Sequence, residues 1–65
     1  MSQVLINKIN SYPNFNYDKC SNSIFNCKNH SNWIDDLLNI SYELDSSGFD
    51  YKLDKNSNFI NVKKR

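Results

Sequence analysis

Sixty-five residues, 14% of them aromatic and 23% charged, with a net charge of +1, describe one small domain near the size at which a single core just suffices. No run of about 18 apolar residues and no charged-then-apolar leader pattern is present, so a cytoplasmic protein without a membrane partner is expected. Two cysteines, Cys20 and Cys27, are too few for a disulfide framework.

Asn, Lys, Ile, Phe and Tyr fill 33 of the 65 positions. These residues belong to A/T-rich codons, so the bias reads as a property of the genome. The Asn residues are interleaved with apolar residues and do not form runs, which favours a folded chain over a disordered one. The aromatic set is Trp33, Phe15, Phe25, Phe49, Phe59, Tyr12, Tyr17, Tyr42 and Tyr51. It supplies most of the burial expected of the core, each ring hiding about 150–250 Å².

In chain order, the first segment, SQVLINKINSY, places Val4, Leu5, Ile9 and Tyr12 at helical spacing. Ser2 serves as N-cap and Pro13 as stop, which predicts a short helix. The stretch NFNYDKCSNSIFNCKN then alternates Phe15 and Tyr17 with Asn16 and Asp18, turns through Ser21-Asn22-Ser23 and returns along Ile24-Phe25-Asn26-Cys27. This predicts a β-hairpin.

The stretch 31–48, SNWIDDLLNISYELDSSG, carries the strongest signal. Trp33, Leu37, Ile40 and Leu44 recur at helical spacing, and Ile34, Leu38 and Ser41 widen that stripe. Ser31 or Asn32 caps the start, Asp35 and Asp36 match the helix dipole, and Gly48 supplies a left-handed stop. The predicted inner face holds Trp33, Leu37, Leu38 and Leu44 against the core. A second hairpin follows: Phe49, Tyr51 and Leu53 alternate with Asp50, Lys52 and Asp54, and Phe59-Ile60-Asn61-Val62-Lys63 returns after Lys55-Asn56-Ser57-Asn58.

The halves 11–28 and 45–63 look alike. Phe15 aligns with Phe49, Tyr17 with Tyr51, Phe25 with Phe59, and Asn14 with Gly48 as a second left-handed helix stop. The expected fold is a two-layer α+β domain, an αββ-αββ pseudo-repeat with a four-stranded antiparallel sheet and two helices on one face.

Four constellations could carry chemistry. Cys27-x-x-His30 has a metal-ligand spacing, with Cys20 across the hairpin and Asp18 or Asp35 near in sequence. A structural zinc site needs four good ligands, and ordinary reduced thiols are the expectation, with no metal and no cofactor. A Cys27–His30 nucleophile pair lacks an orienting third group, and the only glycine sits at a helix stop, leaving no phosphate loop. No enzyme is expected. The basic residues Lys55, Lys63, Lys64 and Arg65, with Tyr17, Phe25, Tyr51 and Phe59 as stacking rings, outline a nucleic-acid-binding alternative. The balanced net charge weighs against it.

The charge map favours the fourth. Residues 1–30 sum to +2, residues 31–54 to −5 and the tail from Lys55 to +4. Asp35, Asp36, Asn39 and Glu43 are expected on the helix face away from the core, with Tyr42 and Ile40 near it and Asp50 and Asp54 on the next strand. Such a face suits a basic groove on another protein. The expected function is a small interaction protein that covers a basic surface of a larger host protein or nucleoprotein complex, acting as a monomer or homodimer. Size and codon bias associate it with inhibitors made by phages and mobile elements, anti-CRISPR proteins among them; no family motif carries that association.

Overall fold

The computed structural model describes residues 1–65. Helix α1 (Gln3–Asn10) leads into strands β1 (Phe15–Asp18) and β2 (Ser23–Asn26); helix α2 (Trp33–Ser46) leads into β3 (Phe49–Leu53) and β4 (Phe59–Lys64). The strands form one antiparallel sheet in the order β1-β2-β4-β3. The architecture is the expected α+β one, with β2 and β4 in the centre and β1 and β3 at the edges.

Local signals set the ends of the elements. The Ser2 side chain accepts the Leu5 N–H at 3.3 Å and starts α1. Gly48, at φ +79°, ends α2 in the left-handed conformation that glycine adopts without strain. Asn32 occupies the N-cap position of α2, yet its side chain makes no cap hydrogen bond. Its Oδ1 instead accepts a long, 3.4 Å bond from Asn14 Nδ2.

Leu5, Ile9, Ile40 and Leu44 from the helices meet Phe15, Ile24, Phe59 and Val62 from the sheet in one buried cluster. Both helices therefore cover the same sheet face, while Asn16, Phe25, Asp50 and Lys52 lie exposed on the other. Phe15 and Phe59 are the only aromatic side chains fully enclosed, with ring centroids 5.8 Å apart. Tyr51 packs its ring edge on Phe59 at 5.0 Å. The expected aromatic core is mostly aliphatic, and Tyr12, Tyr17, Phe49 and Tyr51 form its rim. Val4, placed on the α1 inner face by spacing alone, is exposed.

The two hairpins meet along a narrow seam. Ile24 pairs with Phe59, and Val62 N–H donates to Asn22 O at 3.1 Å. Asn58 Oδ1 accepts the Asn26 N–H at 2.7 Å, so a turn of one hairpin holds a strand of the other. Asn61, at φ +54°, is the extra residue of a bulge in β4, and this bulge puts both Phe59 and Val62 on the core side.

The proposed internal match fails in two places. Phe25 is 43% exposed whereas Phe59 is enclosed, and it is Ile24 that lies against Phe59. Asn14 does not adopt a left-handed conformation; it is a buried polar residue.

Candidate functional site

Helix α2 keeps the expected Ile40 and Leu44 in the core, with Leu37 packed against it, but is rotated so that Ile34 and Leu38, the wider part of its predicted stripe, face solvent. Asp36, Ile40 and Leu44, spaced four residues apart, are its buried row. Trp33 and Leu37 are half-buried, while Ile34 (54% exposed) and Leu38 (61%) face outward. Leu38 is therefore no part of the core.

Two polar contacts hold this setting. Asn14 Nδ2 donates to Asp36 Oδ2 at 2.9 Å, inside the protein. Asn14 Oδ1 accepts the His30 N–H at 2.7 Å, and its main-chain oxygen accepts the Cys27 N–H at 2.7 Å. Asn14 thus ties the start of β1 to the connection after β2 and to the first turn of α2. One turn from the other end of α2, Glu43 pairs with Lys8 of α1 at 3.1 Å.

The acidic face expected from the sequence is smaller than its seven residues. Asp36 is buried and committed to Asn14, so it does not face outward. Glu43 is half-buried and paired with Lys8. Asp50 accepts Arg65 Nε at 2.6 Å, and Asp45 meets the same guanidinium at 3.3 Å. The hydrogen bond and charge of Asp50, aided by Asp45, raise the Arg65 pKa. Asp54 closes the β3–β4 turn: its carboxylate accepts the N–H groups of Asn56 and Asn58 and the Asn58 side chain at 2.8–3.1 Å. Chiefly through the Asn58 N–H, these bonds hold its carboxyl below the ordinary value of 3.8.

Asp35, Asn39 and Tyr42 remain. Their spacing of four and three residues puts them on one stripe of α2, and all are exposed, Tyr42 by 71%. None of the three side chains has a hydrogen bond or ion pair within the protein, and α2 contains no Lys, Arg or His to neutralise them. This is a short acidic and amide surface centred on one bare tyrosine.

The other candidates are dispersed. Cys20 and Cys27 are free and exposed; Cys27 Sγ accepts only Asn16 Nδ2, at 3.2 Å. No three His, Cys, Asp or Glu side chains come together in a metal-holding group. Of the stacking rings, Phe59 is enclosed and Tyr17 and Tyr51 pack on the core, leaving Phe25. Arg65 is committed to Asp50 and Asp45, while Lys55, Lys63 and Lys64 are exposed and outside any ion pair. The larger surface cleft, about 510 Å³, lies at the seam among Ser21, Asn22, Lys52, Asn61 and Lys63 and does not reach α2. No helix is long and apolar enough to cross a membrane.

Sequence reasoning missed Asn14 and the outward turn of Ile34 and Leu38. The available signal was Asp36 itself, which falls in register with Ile40 and Leu44. Compared with protein-family models, with curated proteins and with solved structures, the chain has no match.

Proposed function

We propose that this protein is a small non-enzymatic interaction protein that blocks a larger partner by covering a basic surface with the outer stripe of α2. The observation that carries this reading is the bare Tyr42 flanked by unpaired Asp35 and Asn39. Tyrosine is among the residues that most often anchor interfaces, because it buries a large ring with few rotatable bonds and still offers a hydroxyl. Asp35 supplies charge that complements Lys or Arg at the rim of a groove, speeding encounter and fixing orientation. The partner is a host protein or nucleoprotein complex with such a groove, met in the host cytoplasm. Small size and A/T-codon composition support an inhibitor of the phage or mobile-element kind, similar in mode to anti-CRISPR proteins.

The test is capture from host extract with tagged wild type, Asp35→Lys and Tyr42→Ala. The reading expects a partner that wild type retains and that both folded variants lose by tenfold or more, since removing an anchor costs about 2 kcal/mol or more. Capture should also weaken as salt rises. A partner held equally well by Asp35→Lys overturns the reading.

A second reading, a nucleic-acid-binding module, rests on Phe25 on the open sheet face and on the unpaired Lys63 and Lys64. It expects single-stranded DNA or RNA to bind with a steep salt dependence and Lys63→Glu/Lys64→Glu to abolish that binding.

A further inference from the structure

The two edges of the sheet are finished differently. At the β1 edge the chain satisfies its own outward donors: Phe15 N–H bonds Tyr12 O at 3.2 Å and Tyr17 N–H bonds Asn10 Oδ1 at 2.9 Å. Such coverage keeps an edge from recruiting another strand. The β3 edge has no equivalent. Arg65 N–H bonds Gly48 O at 2.9 Å and Asp54 N–H bonds Asn58 O at 3.1 Å. These bonds bracket the ladder, so Asp50 and Lys52 point their main-chain groups at β4 and Phe49, Tyr51 and Leu53 point theirs outward. No side chain takes up those outward groups. The bulge lies on β4, which leaves β3 regular.

The sequence of β3, Phe49-Asp50-Tyr51-Lys52-Leu53, is charge-symmetric about Tyr51. Run antiparallel to itself with the twofold axis at Tyr51, it sets Asp50 opposite Lys52 twice on the open sheet face. On the core face it sets Phe49 opposite Leu53 twice. The outward main-chain groups of Phe49, Tyr51 and Leu53 then bond one another, and the Asp50–Lys52 pairs fall at the non-bonded positions, where side chains approach most closely. A shift of register in either direction that keeps those bonds sets Asp50 against Asp50 or Lys52 against Lys52. Arg65 Nε uses only Oδ1 of Asp50, leaving Oδ2 for a lysine.

Exposed apolar groups line the same edge. Leu53 is 47% exposed. Glu43 turns one flank of α2 toward Lys8 of α1, and Ile34 lies on the opposite flank, with Leu38 next to it. That flank is on the side of β3, the strand α2 contacts, with Ile34 nearer the sheet and Leu38 turned further out. The short Ser47-Gly48 connection makes α2 and β3 antiparallel, so Ile34 and Leu38 sit toward the Leu53 end.

We infer that a second copy of this chain occupies the β3 edge, the two β3 strands pairing antiparallel about Tyr51 into one continuous sheet. Two-fold pairing of identical patches is the commonest form of self-association. The pairing leaves Asp35, Asn39 and Tyr42 outside the interface, so it stands or falls independently of the proposed partner binding.

Sedimentation velocity over a range of concentrations tests the inference. Wild type should form a dimer, whereas Asp50→Lys alone and Lys52→Asp alone should remain monomeric, because each sets like charges opposite at both positions. An equimolar mixture of the two variants should form a dimer again, since every Lys then faces an Asp. Wild type monomeric at every concentration overturns the inference, as does either variant dimerising alone or a mixture that stays monomeric. Amide exchange of unmodified protein gives an independent reading: the Tyr51 and Leu53 N–H groups should gain protection as concentration rises. Exchange that is independent of concentration, or slowed only by adding a different protein, contradicts it.

Discussion

Asn14 and Asp36 share a 2.9 Å hydrogen bond inside the protein, 22 residues apart in the chain. One is fully enclosed and the other nearly so. The pair extends the buried row of Ile40 and Leu44 to the first turn of α2, and the rotation of that row decides which side chains of the helix meet solvent. Asp36 lies in the first turn of the helix, where the dipole favours its carboxylate and lowers the cost of enclosing it.

Removing Asn14 should therefore cost far more than its size suggests. Asn14→Ala strands the Asp36 carboxylate and the His30 N–H, and a loss of about 3 kcal/mol is expected from the penalty for a buried unpaired polar or charged group. Asp36→Asn keeps an acceptor for Asn14 Nδ2 and should cost markedly less. Urea unfolding followed by circular dichroism measures both.

The rotation makes a second contrast. Ile40→Ala should lose about 2–5 kcal/mol as an enclosed side chain is cut back. Leu38→Ser, two residues away on the opposite face of the same helix, should stay within about 0.5 kcal/mol when measured at concentrations too low for self-association. A large loss at Leu38 would return it to the core and contradict the observed setting.

Ile40 and Leu38 also show how far the fold is legible in the sequence. The period of apolar residues located α2, both hairpins and the α+β class, because spacing alone decides helix against strand. It did not locate the helix rotation, because Ile34 and Leu38 extend the apolar stripe as well as any core residue would. The observed setting encloses Asp36 with Asn14 beside Ile40 and Leu44, and long-range pairing of polar side chains leaves no periodic trace. Codon bias explains the number of Asn residues, yet Asn10, Asn14 and Asn58 each bond a main-chain group of another segment of the chain. Pairing of Glu43, Asp45 and Asp50 with Lys8 and Arg65 likewise depended on the fold, so the candidate site was legible only at Asp35, Asn39 and Tyr42.

Asp54 gives a pH dependence. Its carboxyl is held below 3.8, first by the Asn58 N–H, so its contribution to stability is present above that pH and is lost as pH falls below it. Asp54→Asn does not titrate. Wild type should be the more stable at neutral pH, and the difference should shrink as pH falls below 3.8. Unfolding midpoints of the two proteins across that range check the sign.

At Gly48 the requirement is conformational alone. Its φ is +79°, and an added Cβ would meet nothing within 4 Å. Gly48→Ala should cost about 1–2 kcal/mol, the strain of a left-handed alanine, and Gly48→Asn less, as thermal unfolding would show.

The outer stripe of α2 is tested most directly by a benzoyl-phenylalanine photocrosslinker placed at Tyr42, which keeps an aromatic ring as the anchor, with Phe25 on the opposite layer as the comparison, each expressed in host cells. The account predicts a crosslink from position 42 to a protein of the host, suppressed by Asp35→Lys in the same chain, and none from position 25. Crosslinks from position 25 to nucleic acid, with position 42 silent, would contradict it.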